Sequence, residues 1–125
     1  MLGSSRVMAT IPAVDIKRAE EFYTRVLGLS VAERPQEGVL ILEAGPGSQI
    51  MVYERDATKA EHTAVTFQVK DIEGVVVDLT AKGVRFERYD SDDFKTDQRG
   101  IAEMEGAKMA WLKDPEGNVL GIGEF

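Results

Sequence analysis

Ile11-Pro12-Ala13-Val14-Asp15-Ile16 and, further along, Phe67-Gln68-Val69-Lys70-Asp71-Ile72 state one pattern twice. In each copy alternating apolar residues run into an Asp-Ile pair, a helix-period stretch follows, and a glycine closes it (Gly28 or Gly83). Alternation is the mark of a half-buried strand, and an Asp before a helical stripe is the mark of a helix start. A duplicated strand–helix unit within 125 residues implies a fold made of two similar halves.

Working outward from the first copy, residues 6–13 read as a strand with Val7, Ala9, Ile11 and Ala13 on one face. Ile16, Ala19, Phe22, Tyr23, Val26 and Leu27 form one helical stripe that Gly28 can end. Strands are expected at 30–34, 38–44 and 48–54, with turns at Gln36-Glu37-Gly38 and Gly45-Pro46-Gly47-Ser48. The second half repeats the order: strand 62–69, then a helix carrying Ile72, Val75, Val76 and Leu79 and ended by Gly83. Gly74 weakens that helix by about 1 kcal/mol relative to alanine. A strand is expected at 84–89, a polar loop from Asp90 to Gly106, and a last strand pair at 107–113 and 118–124 around the turn Asp114-Pro115-Glu116-Gly117-Asn118. The expected architecture is α+β: a single domain over 1–125, with two tandem βαβββ modules forming a curved mixed sheet around a cleft. The modules fall at about 6–54 and 62–124, with 55–61 as linker.

The bulk numbers narrow the function classes. Charged residues are 30% of the chain and the net charge is −7. Phosphate-backbone binding needs a basic stripe, so no nucleic-acid partner is expected, and nothing invites an anionic membrane. A small anionic ligand held by one or two local cations is still allowed. There is no cysteine, hence no thiolate nucleophile or thiolate metal site. No apolar stretch approaches the ~20 residues needed to span a bilayer, and Met1–Arg6 lacks the apolar run of a signal peptide. A cytoplasmic globular domain is expected.

The residues Asp15, Phe22-Tyr23, Leu27-Gly28-Leu29, Val69-Lys70-Asp71 and Trp111-Leu112-Lys113-Asp114-Pro115-Glu116-Gly117-Asn118 together resemble the vicinal oxygen chelate superfamily, over residues 7–124. That superfamily includes glyoxalase I, extradiol dioxygenases and bleomycin-resistance proteins. In its metal-using members, the resemblance implies, each half gives His, Gln or Glu side chains to one divalent cation. The matching positions here are Met8 and Ala64, seven residues before each Asp, with Met51 and Gly121 on the closing strands. None carries an oxygen or imidazole donor, and hard or borderline divalent ions require one or the other. No cofactor is therefore expected.

Strand alternation groups further residues with these positions: Thr10 with Met8; Gln49 and Tyr53 with Met51; His62, Thr66 and Gln68 with Ala64; Val119 and Gly123 with Gly121. The expected cleft is small, with thioether and apolar surface and a few neutral hydrogen-bonding groups, as in most small-molecule sites. Against that stands the plainer reading that Met8 and Met51 plug an unused cavity. His62, the sole histidine, is a general-base candidate, or else a surface residue at a strand start. It lies two strand residues (~6.6 Å) from the ligand position, so it reaches that position only through a bulge. Glu54 and Glu124 read as solvated strand ends, and Glu103 and Glu105 as loop carboxylates. Trp111 reads as core or interface, and Phe94 as a lid or subunit contact. Ser91 lacks the glycine-flanked elbow of a hydrolase nucleophile.

Three readings follow. The first is a metal-independent small-molecule binder that sequesters a drug or metabolite, expected from the resemblance to be a homodimer. The second is a metal-dependent lyase, isomerase or dioxygenase whose displaced site holds a divalent ion with His62 and nearby carboxylates. The third is a module with a vestigial cleft that serves protein association.

Overall fold

In the computed structural model, which describes residues 2–92 and 95–125, Asp15 and Asp71 both start helices by the same device. Each aspartate is non-helical, and its carboxylate accepts a hydrogen bond from the amide three residues on: Arg18 at 3.1 Å and Gly74 at 3.1 Å. Those amides have no partner inside the helix, so the aspartate satisfies a donor that would otherwise be orphaned. Helix α1 (Ile16–Glu21) runs on into a π-helical turn, Phe22–Val26. Helix α2 spans Ile72–Ala81. A Cβ on Gly74 would run into the Asp71 carboxylate, so the residue that lowers helix propensity is also what lets the cap approach.

The chain divides into two compact units, Met1–Lys59 and Ala60–Phe125. The first holds a four-stranded sheet built from β1 (Ala9–Ala13), β2 (Ser30–Gln36), β3 (Val39–Glu43) and β4 (Gln49–Glu54), in the order β1-β4-β3-β2. β1 and β4 are parallel, and the other pairs are antiparallel. Ile11, Ala13, Leu40, Leu42, Ile50 and Val52 are buried on one face, where α1 packs against β3 and β4. Tyr23 is fully buried and meets Phe22 edge-to-face, with ring centroids 5.4 Å apart. Arg34 on β2 grips Glu20 on α1 through two hydrogen bonds, of 2.6 and 2.8 Å. The bonded guanidinium holds the Glu20 carboxyl below its ordinary range.

The second unit has the same plan. Its strands are β5 (Thr63–Gln68), β6 (Ile101–Met104), β7 (Ala107–Lys113) and β8 (Val119–Glu124), in the order β5-β8-β7-β6. β5 and β8 are parallel, and the remaining pairs antiparallel. Ile72, Val76 and Leu79 of α2 are buried, as are Ile101, Ala110, Leu112, Leu120 and Ile122 of the sheet it packs on. This is the α+β architecture expected from the repeat, with one mixed four-stranded sheet in each unit.

The repeat extends to a turn whose two copies share little sequence. Between β3 and β4 the Ala44 amide donates to Ser48 O at 2.9 Å; between β7 and β8 the Asp114 amide donates to Asn118 O at 3.0 Å. Gly47 and Gly117 both take positive φ, 79° and 87°, where a side chain would be strained. The second copy adds a buried carboxylate. Asp114 accepts from the Glu116 and Asn118 amides at 2.9 Å each and from Asn118 Nδ2 at 2.8 Å.

Four expectations need correcting. β1 begins at Ala9 rather than residue 6, which leaves Val7 exposed and Met8 outside the sheet. The segment 84–89 makes only an isolated bridge, Phe86 with Leu112, and the stretch expected as loop supplies β6 instead. The reason is local. β6 reaches β7 through the two-residue turn Glu105-Gly106, whereas 84–89 would have to close a loop several times longer before pairing. Glu103 is accordingly a strand residue opposite Lys108, not a loop carboxylate. Glu124 is half-buried rather than solvated: its Oε1 accepts from the Ile72 amide at 3.0 Å and ties β8 to the start of α2.

Asp114→Ala removes the acceptor of three hydrogen bonds in a buried turn and should cost roughly 2–4 kcal/mol in urea unfolding. Asp114→Asn should cost clearly less, because its carbonyl keeps both backbone bonds and the Asn118 amide can turn to present its oxygen. Equal losses in the two variants would contradict this role.

Candidate functional site

One face of each sheet packs on a helix; the other carries the residues singled out from the sequence. In the first unit the register sets Thr10 beside Met51 and Met51 beside Ile41, with Pro12, Tyr53 and Val39 forming the next row. Gln49 lies at the far end of that face, opposite Glu43. Thr10, Gln49, Met51 and Tyr53 thus share one surface, because neighbours in register point the same way. Met8 lies just before β1 and is exposed.

In the second unit Thr66 lies beside Gly121 and Gly121 beside Trp111; Gln68, Gly123 and Met109 make the adjacent row. Two glycines at the centre of a strand leave that row without side chains, so its neighbours lean in. A Cβ at Gly121 would meet Thr66 Oγ1 at 3.1 Å and Thr63 Cγ2 at 3.3 Å. One at Gly123 would meet Met109 Sδ at 2.8 Å and the Phe125 ring at 2.6 Å. Gln68 Nε2 donates to the Phe125 carbonyl at 3.1 Å, which holds that residue over the strand.

The register of β5 against β8 shifts between Thr63 and Val65. The bulge breaks the alternation that groups His62 with Thr66, and it brings Thr63 onto the Gly121 face instead. His62 itself is exposed, one residue before β5, and Ala64 lies within the bulge. Phe94 lies outside the described residues.

Trp111 is half-buried and meets Tyr89 edge-to-face, with centroids 5.4 Å apart and planes at 85°. Tyr89 is placed by a chain of bonds. Its amide donates to Thr96 Oγ1, and the Thr96 amide donates to its carbonyl, both at 2.9 Å. Thr96 bridges Ala102 at the start of the sheet. Asp97 then fixes the approach to β6, since its Oδ1 accepts from the Arg99 amide at 2.8 Å and the Ile101 amide at 3.0 Å. Burial pushes the Asp97 carboxyl up. The Arg99 side chain and these two amides together outweigh that and hold it below the ordinary carboxylate range.

Alternation from Trp111 would have found Met109. Thr63 and Tyr89 carry no comparable signal, since one depends on a bulge and the other on a loop bond. The face as built offers a thioether, an aromatic pair, two hydroxyls and one primary amide around a glycine floor. Such a surface suits a flat organic molecule.

A family model described as the Glyoxalase/Bleomycin resistance protein/Dioxygenase superfamily matches residues 6–122. The chain belongs to that superfamily. Solved structures with the same fold include a glyoxalase family protein from Enterococcus faecalis (23% identity, TM-score 0.71, covering 99% of this chain and 100% of that one). A lactoylglutathione lyase from Agrobacterium tumefaciens has 18% identity and TM-score 0.70, covering 97% of this chain and 93% of that one. An antibiotic binding protein from a Streptomyces species also has 18% identity and TM-score 0.70, covering 99% and 98%. These likenesses are of fold. No curated protein gives a significant match.

The divalent cation used by metal-dependent members of the glyoxalase superfamily does not fit the residues present. Met51 stands between Thr10 and Ile41, and Gly121 between Thr66 and Trp111. Neither row holds a carboxylate or an imidazole, and hydroxyl and thioether groups alone are poor ligands for hard or borderline ions. Among the described residues, no three His, Asp or Glu side chains gather in a cluster that could hold an ion. Glu124, the carboxylate nearest Gly121 in sequence, is committed to the α2 amide. Among the described residues no helix is long and apolar enough to cross a membrane.

The Asp97 bonds should tie stability to pH. A carboxyl whose folded pKa is depressed stabilises the fold above its unfolded pKa of about 3.9, and that contribution is lost as pH falls through the folded value. Asp97→Asn should therefore be less stable than the parent at neutral pH, with the gap closing below about pH 4 in urea unfolding. A gap independent of pH would show that the charge is not what matters.

Proposed function

We infer that this chain binds a small, flat organic molecule without a metal ion, and that it sequesters a drug or metabolite rather than turning it over. The observation that carries the reading is the glycine-floored surface of the second unit, where Gly121 and Gly123 lie beneath Thr66 and Met109, with Trp111, which meets Tyr89, beside Gly121 on the next strand. Met109 and Phe125 reach over it through flexible side chains that a ligand can push aside, and Trp111 provides an aromatic face or edge for it. Thr63, Thr66 and Gln68 supply the few polar contacts that orient a bound ring. The antibiotic binding protein of the same fold supports sequestration over turnover, and so does the absence of oxygen or imidazole donors at Met51 and Gly121. The acidic balance favours a polar or cationic aromatic ligand. The protein acts as a homodimer in the cytoplasm on this reading.

Trp111 is the only tryptophan in the chain, so it reports on its own surroundings. Screening planar aromatic drugs and metabolites by thermal shift should yield ligands that raise the melting temperature and also quench Trp111 fluorescence. Thr66→Arg places a long cation on this face from an exposed position and should weaken such binding at least about tenfold. Stabilising ligands that leave Trp111 emission and the Thr66→Arg variant unaffected would refute the site. A screen that yields none would refute the function.

A further inference from the structure

Away from the glycine-floored face, the second unit has a cavity of about 640 Å³ between α2 and the segment that follows it. Val77, Thr80, Val84 and Phe86 line it, together with the guanidinium-bearing Arg85 and Arg88. Its size falls within the range of small-molecule sites, and its lining sets an exposed apolar residue beside two guanidiniums. Val77, on the helix that buries Ile72, Val76 and Leu79, is 62% exposed. In a chain of net charge −7, Arg85 and Arg88 have no carboxylate partner among the described residues, and they stand on one short segment at the edge of the cavity. Several cations of the unit do have one: Lys82 beside Asp78, Lys95 beside Asp90, Lys113 beside Glu87, and Lys108 beside Glu73. Arg99, at the rim of the same cavity, is held by Asp97 and Glu73. Two guanidiniums without a carboxylate partner among the described residues, beside an apolar wall, are complementary to a ligand that is anionic at one end and apolar at the other.

The wall is also firmly built. Gly100 packs so closely on Phe86 that a Cβ there would lie 2.6 Å from the Phe86 Cβ, and the Gly100 backbone has a φ of +94° that disfavours any other residue. Phe86 bridges Leu112 of β7, and the Glu87 amide donates to Trp111 O at 2.7 Å. The backbone on both sides of Phe86 is therefore set by the sheet, and the two arginines project from a fixed segment. Preorganised donors bind an anion with less loss of chain entropy than donors on a free loop.

We propose that this cavity is a second binding site, which takes a small amphipathic carboxylate: the carboxylate pairs with Arg85 and Arg88 and the apolar body lies on Val77, Val84 and Phe86. The site is separate from the glycine-floored face, so either can fail without the other. The probe is naphthoate, with naphthamide as its uncharged counterpart, titrated into the full isotope-labelled chain and followed by amide chemical shifts. Naphthoate should shift the amides of Val77, Thr80, Val84 and Gln98, and naphthamide should bind at least about tenfold more weakly. Arg85→Gln/Arg88→Gln, at two exposed positions, should weaken naphthoate at these amides at least about tenfold, while Arg25→Gln in the first unit should leave it unchanged. Val77→Asp should weaken it to a similar degree by placing a negative charge on the apolar wall. The proposal is overturned by any of four results: no shifts at these amides up to about 10 mM probe, naphthamide binding as well as naphthoate, indifference to the double arginine variant, or shifts confined to the Thr66–Trp111 face.

Discussion

The carboxylate of Asp114 is the constraint on which the second unit depends. It closes the turn between β7 and β8 from inside, taking two backbone amides and one side-chain amide in a place from which water is excluded. β8 is the strand that pairs with both β5 and β7, and it passes its register to each. A slip at this turn would turn Gly121 and Gly123 toward α2 and send Leu120 and Ile122 to the open face. The first unit closes the matching turn with the same backbone bond and a glycine-rich sequence, but without the carboxylate. The repeat is thus one of geometry more than of chemistry.

What the strand placement makes possible is a surface with few side chains in its middle. Glycine in a strand interior normally weakens it, and two on one face of β8 call for compensation. Glu124 provides part of it by linking the end of β8 to α2, and Gln68 provides more by holding Phe125. Thr63, Thr66, Met109 and Phe125 lean over the glycine row and take up the space that side chains there would need. The same arrangement removes the positions from which the strand could present metal donors.

Much of this was legible in the residues. Asp15 and Asp71 announced both helices, because an N-cap is a local bond that depends on only a few neighbours. The strands at 39–43, 49–54, 107–113 and 119–124 followed from runs of apolar residues between glycine or proline turns. β6 escaped because Glu103 and Glu105 hide a short apolar pair, Ile101-Ala102, whose value as a strand comes only from the tight turn to β7. The open face was legible in part. Alternation grouped Gln49 and Tyr53 with Met51 and Gly123 with Gly121, since successive strand residues change faces, but the pairing of Thr10 with Met51 and of Thr66 with Gly121 came only from the register. It could not find Thr63, which needs a bulge, or Tyr89, which reaches Trp111 through bonds to Thr96. Nor does any pattern in the sequence bring Arg85 and Arg88 together beside Val77, for that depends on how the segment after α2 is held by the sheet.

The central claim is that this member of the glyoxalase superfamily keeps the scaffold and works without the metal. Elemental analysis of the protein, purified without chelator and dialysed against metal-free buffer, tests that most directly. The account predicts no stoichiometric divalent metal, and no change in content in His62→Ala. One equivalent of a divalent ion retained through dialysis and lost in His62→Ala would contradict it, and would place a displaced metal site where the strand rows carry none.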